Sequence, residues 1–498
     1  MTTLIIVLWR HRLNFHGYCK QTTDPSFRVV VVGPENSIND DTCVDVHYQI
    51  QPAFGSPNHC HALLIEKVRE LVSNYGLTRR IIVTFEAELQ YLMAKIRFEL
   101  GIEGLLPDHV EQVVHMKEMK LIARRNGLMT LRHVDFIIRN IGRQTIIPLK
   151  AEPSLWLRRI ATQLDGFPVF IRSCEAKHGR KITRYSIHDC DEMQSWIKSK
   201  LEVENKHDRE FIVEECLRNG YEFVSLYSNS GFICTIARMS AEGTLFESIR
   251  DQKPYAYEYL TVDQTRDILP GVESFVLRTA KSLPVIPNSS FVFIKGFYKN
   301  HNDIYLLGTY LQPLCDSHRR LIEAANHGVG WEILLLNCME EVLQTVNQPH
   351  DMQKSIENHH VLVNFPSIEG VLLHQTSITK RNSNMRVIWK ACEGQVLTSC
   401  TSSDDNILQT NELGYNKIQG WNMCKCLKQW IRLTKALSHM LQIFLSNPNR
   451  AEVIADARDL IENTYIAVDR STDKHNFCND IRAKKGCNHF IRSMTTCD

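Results

Sequence analysis

The chain contains no stretch approaching the ~18 uninterrupted apolar residues that a membrane helix requires, so a helical membrane span is not expected. Charge of one sign is also missing. With 58 Lys and Arg against 56 Asp and Glu, the formal net charge is +2, and the strongly cationic surface that neutralises many phosphates of a nucleic acid is not in the composition. No Walker-type loop and no Gly-x-Ser-x-Gly elbow occurs, which leaves P-loop NTPases and serine hydrolases without support. No internal repeat of roughly 20–50 residues is visible. The 16 cysteines include no C-x-x-C pair and follow no secretory signal, since in Leu4-Ile5-Ile6-Val7-Leu8-Trp9 the basic residues Arg10, His11 and Arg12 come after the apolar run and not before it. Reduced thiols in the cytoplasm and a first β-strand are the expectations.

What is present is a chain of 498 residues, 43% hydrophobic and 23% charged, enough for about three domains with a large buried core. The β-branched run Arg28-Val29-Val30-Val31-Val32, closed by Gly33-Pro34, predicts a buried strand. From His59 to Tyr75, Leu63, Leu64, Val68, Leu71 and Val72 recur at helical spacing, with Gly76 as the stop. Ile81–Phe85 reads as a strand and Glu86–Leu100 as a helix ended by Gly101. Asp108 is a candidate N-cap for one helix running to Asn126, with Gly127 at its end. Alternating strand and helix favour a parallel sheet covered by helices. Beyond Phe167 short strand-like runs dominate (Val169–Arg172, Glu210–Val213, Gly231–Cys234, Ser290–Phe293, Ile304–Leu307), which predicts an α+β region. After Asn347 comes the polar break Gln348-Pro349-His350-Asp351, then strands near Val361 and Val387 and a helix over Ala451–Arg470.

Several blocks in order resemble the ATP-grasp superfamily. Ile81–Glu86 with its helix, Leu100-Gly101-Ile102-Glu103-Gly104 and the charged helix ending at Asn126-Gly127-Leu128 are similar to the entry into that fold. Asp165-Gly166-Phe167-Pro168-Val169-Phe170-Ile171-Arg172 resembles the family's Gly-Phe-Pro strand, which ends in a lysine. Phe211–Leu217 with Gly220-Tyr221-Glu222 resembles the strand whose glutamates reach adenine and ribose, and Asn364–Leu372 resembles the C-terminal lobe of the L-amino-acid ligase and carnosine-synthase-like branch. The resemblance implies a fold of α/β and α+β parts: a Rossmann-like domain over 1–106, two ATP-grasp lobes over 107–345, a C-terminal ligase-like lobe over 346–446 and a helical, polar tail over 447–498. It also implies ATP with magnesium, ATP-driven joining of a carboxylate to an amine through an acyl-phosphate, amino-acid-like small molecules as partners, and a homodimer. The positions it carries over as nucleotide-binding are Lys117, Arg172, Glu214, Glu215, Leu217 and Glu222. For the first ATP lysine an ungapped match gives Met116 and a one-residue gap gives Lys117.

The family's metal ligands are an acid on one late strand and a Glu-x-Asn motif, followed by arginine, on the next. Here the match places Lys295 at the acid, Gly308 at the glutamate, Tyr310 at the asparagine and Gln312 at the arginine. No carboxylate charge is restored, whereas magnesium requires near-octahedral oxygen ligation. Arg172 keeps positive charge at the second lysine, and the loop Glu175–Lys181 has one glycine where the family has several, with Lys177, Arg180 and Lys181 as compensating charges. Bland readings stand beside these: Glu214 and Glu215 as a solvated pair, Arg172 as a surface residue, Asp303 and Asp316 as solvated turn acids, and Asn58-His59-Cys60-His61 as a helix cap rather than a metal site. Cys424, Cys426 and the tail residues Cys478, Cys487, His489 and Cys497 have no zinc spacing. Two functions remain open: an active ATP-dependent ligase, or a pseudo-enzyme that binds nucleotide weakly or serves as an interaction scaffold.

Overall fold

A computed structural model of the chain describes residues 2–9, 11–15, 27–38, 44–50, 61–74, 79–141, 144–146, 153–174, 184–202, 209–229, 231–284, 290–344, 358–368, 370–375, 377–378, 381–391, 396–397 and 439–469. The loop 175–181, the break at 348–351, residues 58–60 and the cysteines at 424, 426, 478, 487 and 497 lie outside them, as does His489. The chain divides into two compact units, Met1–Ala237 with Tyr259–Ile356, and Arg238–Glu258 with Glu357–Asp498.

The first unit begins with a parallel sheet in the order Val46–Gln49, Phe27–Gly33, Thr2–Val7, Arg79–Val83. Strands buried on both faces are apolar throughout and do not alternate, and Val29 to Val32 are all fully buried. Helices His61–Asn74 and Ala87–Leu100 pack Leu64, Val68 and Leu71, and Leu89, Met93 and Ile96, into the same core. Gly101 takes the left-handed conformation (φ 62°) and its N–H returns to the last turn of the second helix, as its position in the sequence predicts. The helix expected from Asp108 to Asn126 is instead two, Pro107–Val114 and Met116–Arg125. The break is at His115, whose extended backbone (ψ 113°) ends one helix while its ring accepts the Glu118 N–H at 3.4 Å and caps the next. Asp108 therefore lies inside a first turn. The cap before it is Leu106, with Pro107 at the first helical position, where a missing N–H costs nothing.

A five-stranded sheet follows, in the order Gln144–Ile146, His133–Ile141, Arg209–Glu215, Val169–Ser173, Arg184–Ile187, with antiparallel neighbours. Side chains alternate across it. Val134, Phe136, Val169, Ile171, Phe211 and Val213 form an apolar face against Ile160 of helix Pro153–Gln163 and Trp196 of helix Cys190–Glu202. The opposite face carries His133, Asp135, Phe170, Arg172, Ile212 and Glu214. A second antiparallel group places Asp303–Tyr310 beside Val292–Asn300, then Tyr221–Ser228, then Gly231–Arg238, with Val272, Phe275 and Val276 of helix Val272–Ser282 in its core.

In the second unit, strand His439–Asn447 lies between His359–Pro366 and Asn384–Trp389, antiparallel to both. Helix Arg450–Asn463 packs Val453, Ala457 and Leu460 into their core. This helix is shorter than the expected Ala451–Arg470. Thr464 turns extended, Ile466 and Ala467 are buried, and Val468–Asp469 pairs with the strand Gly370–Leu372. No helix among the described residues is long and apolar enough to cross a membrane.

Candidate functional site

The polar face of the five-stranded sheet is met by one face of helix Met116–Arg125. Lys117, Lys120 and Arg124 stand at i, i+3 and i+7 and so project on one side. On the other side Met116, Met119 and Ala123 enter the core. Lys117 Nζ lies 3.0 Å from Asp135 Oδ2, and this pairing raises the lysine pKa although partial burial opposes it. Lys120 Nζ lies 2.6 Å from Glu214 Oε1 and donates to the Leu131 carbonyl at 3.2 Å. Arg172 Nε lies 2.7 Å from Glu214 Oε2, and its Nη1 donates to the Leu307 carbonyl at 3.0 Å. The geometry follows from register: Phe170 is directly opposite Glu214, so Arg172 is its diagonal neighbour on the same face.

Lys120, Arg172 and Glu214 are exposed by only 1%, 3% and 0%, so Glu214 is a buried bridge between two cations rather than one of a solvated pair, and Arg172 is no surface residue. Burial pushes the Lys120 ammonium down while Glu214 pulls it up, and the net direction is down. Glu215 faces elsewhere: both its oxygens are taken by Arg132, from the backbone N–H at 2.8 Å and from Nε at 2.7 Å, and the same guanidinium reaches Asp165 at 2.7 Å. Leu217 packs with Leu131, Phe297, Leu307 and Tyr305 in a small apolar cluster.

The two late strands are neighbours, with Lys295 opposite Gly308 and Phe293 opposite Tyr310. Lys295 Nζ lies 2.9 Å from Glu222 Oε2, both side chains nearly buried. His318, fully enclosed on helix Asp316–Ala325, has its pKa pushed down to about 3 by burial and by the Lys295 charge, with Glu222 opposing. A Cβ on Gly308 would stand 2.8 Å from the Tyr310 hydroxyl oxygen and 3.1 Å from its ring, so Tyr310 fills the space an acid at 308 would need. Asp303 accepts from Asn300 Nδ2 at 2.7 Å, and Asp316 accepts from Arg320 Nε at 2.8 Å. Among the described residues no group of three or more His, Cys, Asp or Glu side chains is arranged to hold a metal ion.

The structure thus brings Arg172 and Glu214 together, and Glu222 with Lys295, while Lys117, Glu215 and Leu217 each take separate partners. Sequence reasoning missed Lys120, Arg132 and His318. The spacing of Lys117, Lys120 and Arg124 was the available signal for the first of these. For the other two there was none, because their partners are 83 residues away for Arg132 and on different strands for His318.

A parallel sheet at the N-terminus followed by two antiparallel-sheet lobes that present charged faces is the ATP-grasp fold, and the chain has it. It is similar over 94% of its length to an L-amino acid ligase from Bacillus licheniformis, of which 99% is covered, at 13% identity and a TM-score of 0.56. A carboxyaminoimidazole ribonucleotide synthase from Aspergillus clavatus complexed with ATP matches over 93% of this chain and 99% of its own, at 11% identity and a TM-score of 0.52. A biotin carboxylase from Campylobacter jejuni, in a β,γ-ATP complex, matches over 94% and 92%, at 11% identity and a TM-score of 0.51. No protein-family model matches the sequence, and no curated protein matches it.

Proposed function

We propose that this chain is an ATP-grasp protein of the carboxylate–amine ligase kind that binds nucleotide without completing ligation. Ligation through an acyl-phosphate needs cations on the triphosphate, carboxylates that hold a divalent metal, and a site closed to water. Magnesium does not fit the residues described: Lys295 stands where an acid is expected and is ion-paired with Glu222 of the neighbouring strand, and a tyrosine ring lies against the glycine at 308. The Lys295–Glu222 pair is the observation that carries the reading. Binding is supported by the parts that remain. Leu217 and Tyr305, the partly exposed members of the small apolar cluster, offer the apolar surface a base needs. Lys117, more than a third exposed and paired with Asp135, is the cation assigned to phosphate in this reading, and Lys120 with Arg172 stands around Glu214 behind it. Glu215 and Glu222 act by holding Arg132 and Lys295 in place. Membership of the ligase kind, an amino-acid-like second ligand and a homodimer are parts of the same proposal.

The test combines thermal stability with turnover. ATP or ADP at 100 times its dissociation constant is expected to stabilise the chain by about 2.7 kcal/mol, with no release of ADP or phosphate in the presence of amino-acid mixtures. Steady product release would defeat the absence of ligation. Indifference to every nucleotide would defeat binding.

A further inference from the structure

The residues that displace the metal site form a built arrangement, and three features of it agree. Lys295 is held by Glu222 from the neighbouring strand Tyr221–Ser228, where Val224 is its direct partner and Glu222 its diagonal one on the same face. Its opposite neighbour Gly308 brings no side chain, and the Tyr310 hydroxyl stands 2.8 Å from where a Cβ would be. Beside the pair stands His318, enclosed on helix Asp316–Ala325, whose pKa burial and the Lys295 charge push down to about 3, so it adds no positive charge there. A divalent cation brought there would meet a fixed ammonium instead of an acid and would have to share a carboxylate already engaged at 2.9 Å.

From this geometry we infer that the cleft takes a nucleotide free of divalent metal, with Lys295, held in place by Glu222, standing in for the metal's charge. The ligand class is a nucleoside phosphate whose anionic oxygens are met by an ammonium point charge, which neutralises them without bridging two oxygens in an octahedral cage. This inference rests on the nucleotide-binding reading above. It differs from that reading in predicting that magnesium contributes nothing to affinity.

The experiment is a calorimetric titration of the full chain with ADP and with ATP, once in excess magnesium and once in EDTA. The same titration is repeated with a Lys295→Met/Glu222→Gln double variant. That variant removes both charges together and so leaves no unpaired ion in the lobe, and its thermal melt reports whether the lobe is intact. The expected result is a dissociation constant within about twofold with and without metal, and a loss of about tenfold in the double variant, equal to about 1.4 kcal/mol. A tenfold or greater gain from magnesium, or a folded double variant that binds as tightly as the native chain, overturns the inference while leaving nucleotide binding intact. Absence of binding in every arm of the native titration overturns the functional reading itself, and this inference with it.

Discussion

Replacing Glu214 with glutamine removes the only carboxylate shown bridging Lys120 and Arg172 while keeping the side chain's size. The cost is set by what is left behind. At 1% and 3% exposure, neither cation can recover its hydration without opening the lobe, and breaking a buried ion pair by deleting one partner costs about 3–5 kcal/mol. Two cations lose their counter-ion at once, so Glu214→Gln is expected at the upper end of that range. The control is the triple replacement Lys120→Met/Glu214→Leu/Arg172→Met. It buries no charge, and it is expected to lie within about 1–2 kcal/mol of the native chain, because the desolvation of three ions offsets most of their attraction. Urea unfolding followed through the fluorescence of Trp196, which packs on the opposite face of the same sheet, reads both. A loss below about 1 kcal/mol for Glu214→Gln is the value expected of a solvated surface pair, and it would refute the buried bridge.

The pH dependence of stability should carry two signatures. Burial pushes the Glu332 carboxyl up, but hydrogen bonding to His11 and the charge of Arg319 outweigh it and bring the pKa from 4.5 to about 2. A depressed carboxyl pKa stabilises above the unfolded value, so a contribution of about 3 kcal/mol is present above pH 4.5 and lost as pH falls toward 2. Glu332→Gln should flatten that limb in an acid denaturation profile. His318, lowered from 6.5 to about 3 by burial first and Lys295 second, works in the same direction at higher pH: its stabilisation is complete above 6.5 and declines below it, and His318→Phe should remove that slope. Gly308→Glu alone is expected to cost about 1–3 kcal/mol by overpacking against Tyr310, and Gly308→Glu/Tyr310→Asn to recover most of it, as read by thermal melting. Arg132, half exposed, is bonded to Glu215 and Asp165; Arg132→Ala should cost about 1 kcal/mol or less in the same melt, because solvent screens such pairs.

The order of elements was largely legible from residue type. The valine run Val29–Val32 forms a strand buried on both faces, and the glycines at 101 and 127 end their helices in left-handed conformations because a side chain is disfavoured there. Where the reading failed, a local signal was overridden. Asp108 is a good cap by type, yet the cap falls two residues earlier at Leu106 with Pro107 starting the helix, and His115 interrupts a helix whose apolar spacing runs on without a break. The helix after Arg450 likewise stops early because Ile466 and Ala467 are drawn into the core and the chain leaves to pair with another strand.

The sequence by itself determined which residue types fall at the positions the resemblance marks: an arginine at 172, a lysine at 295, a glycine at 308 and a tyrosine at 310, none of them a carboxylate. Only the tertiary structure decided what those groups do to one another. Whether Glu214 is solvated or bridges two cations, and whether Lys295 points at solvent or at Glu222, depends on strand register and on which helix crosses the sheet. Those are long-range packing outcomes that residue type and spacing along the chain leave open.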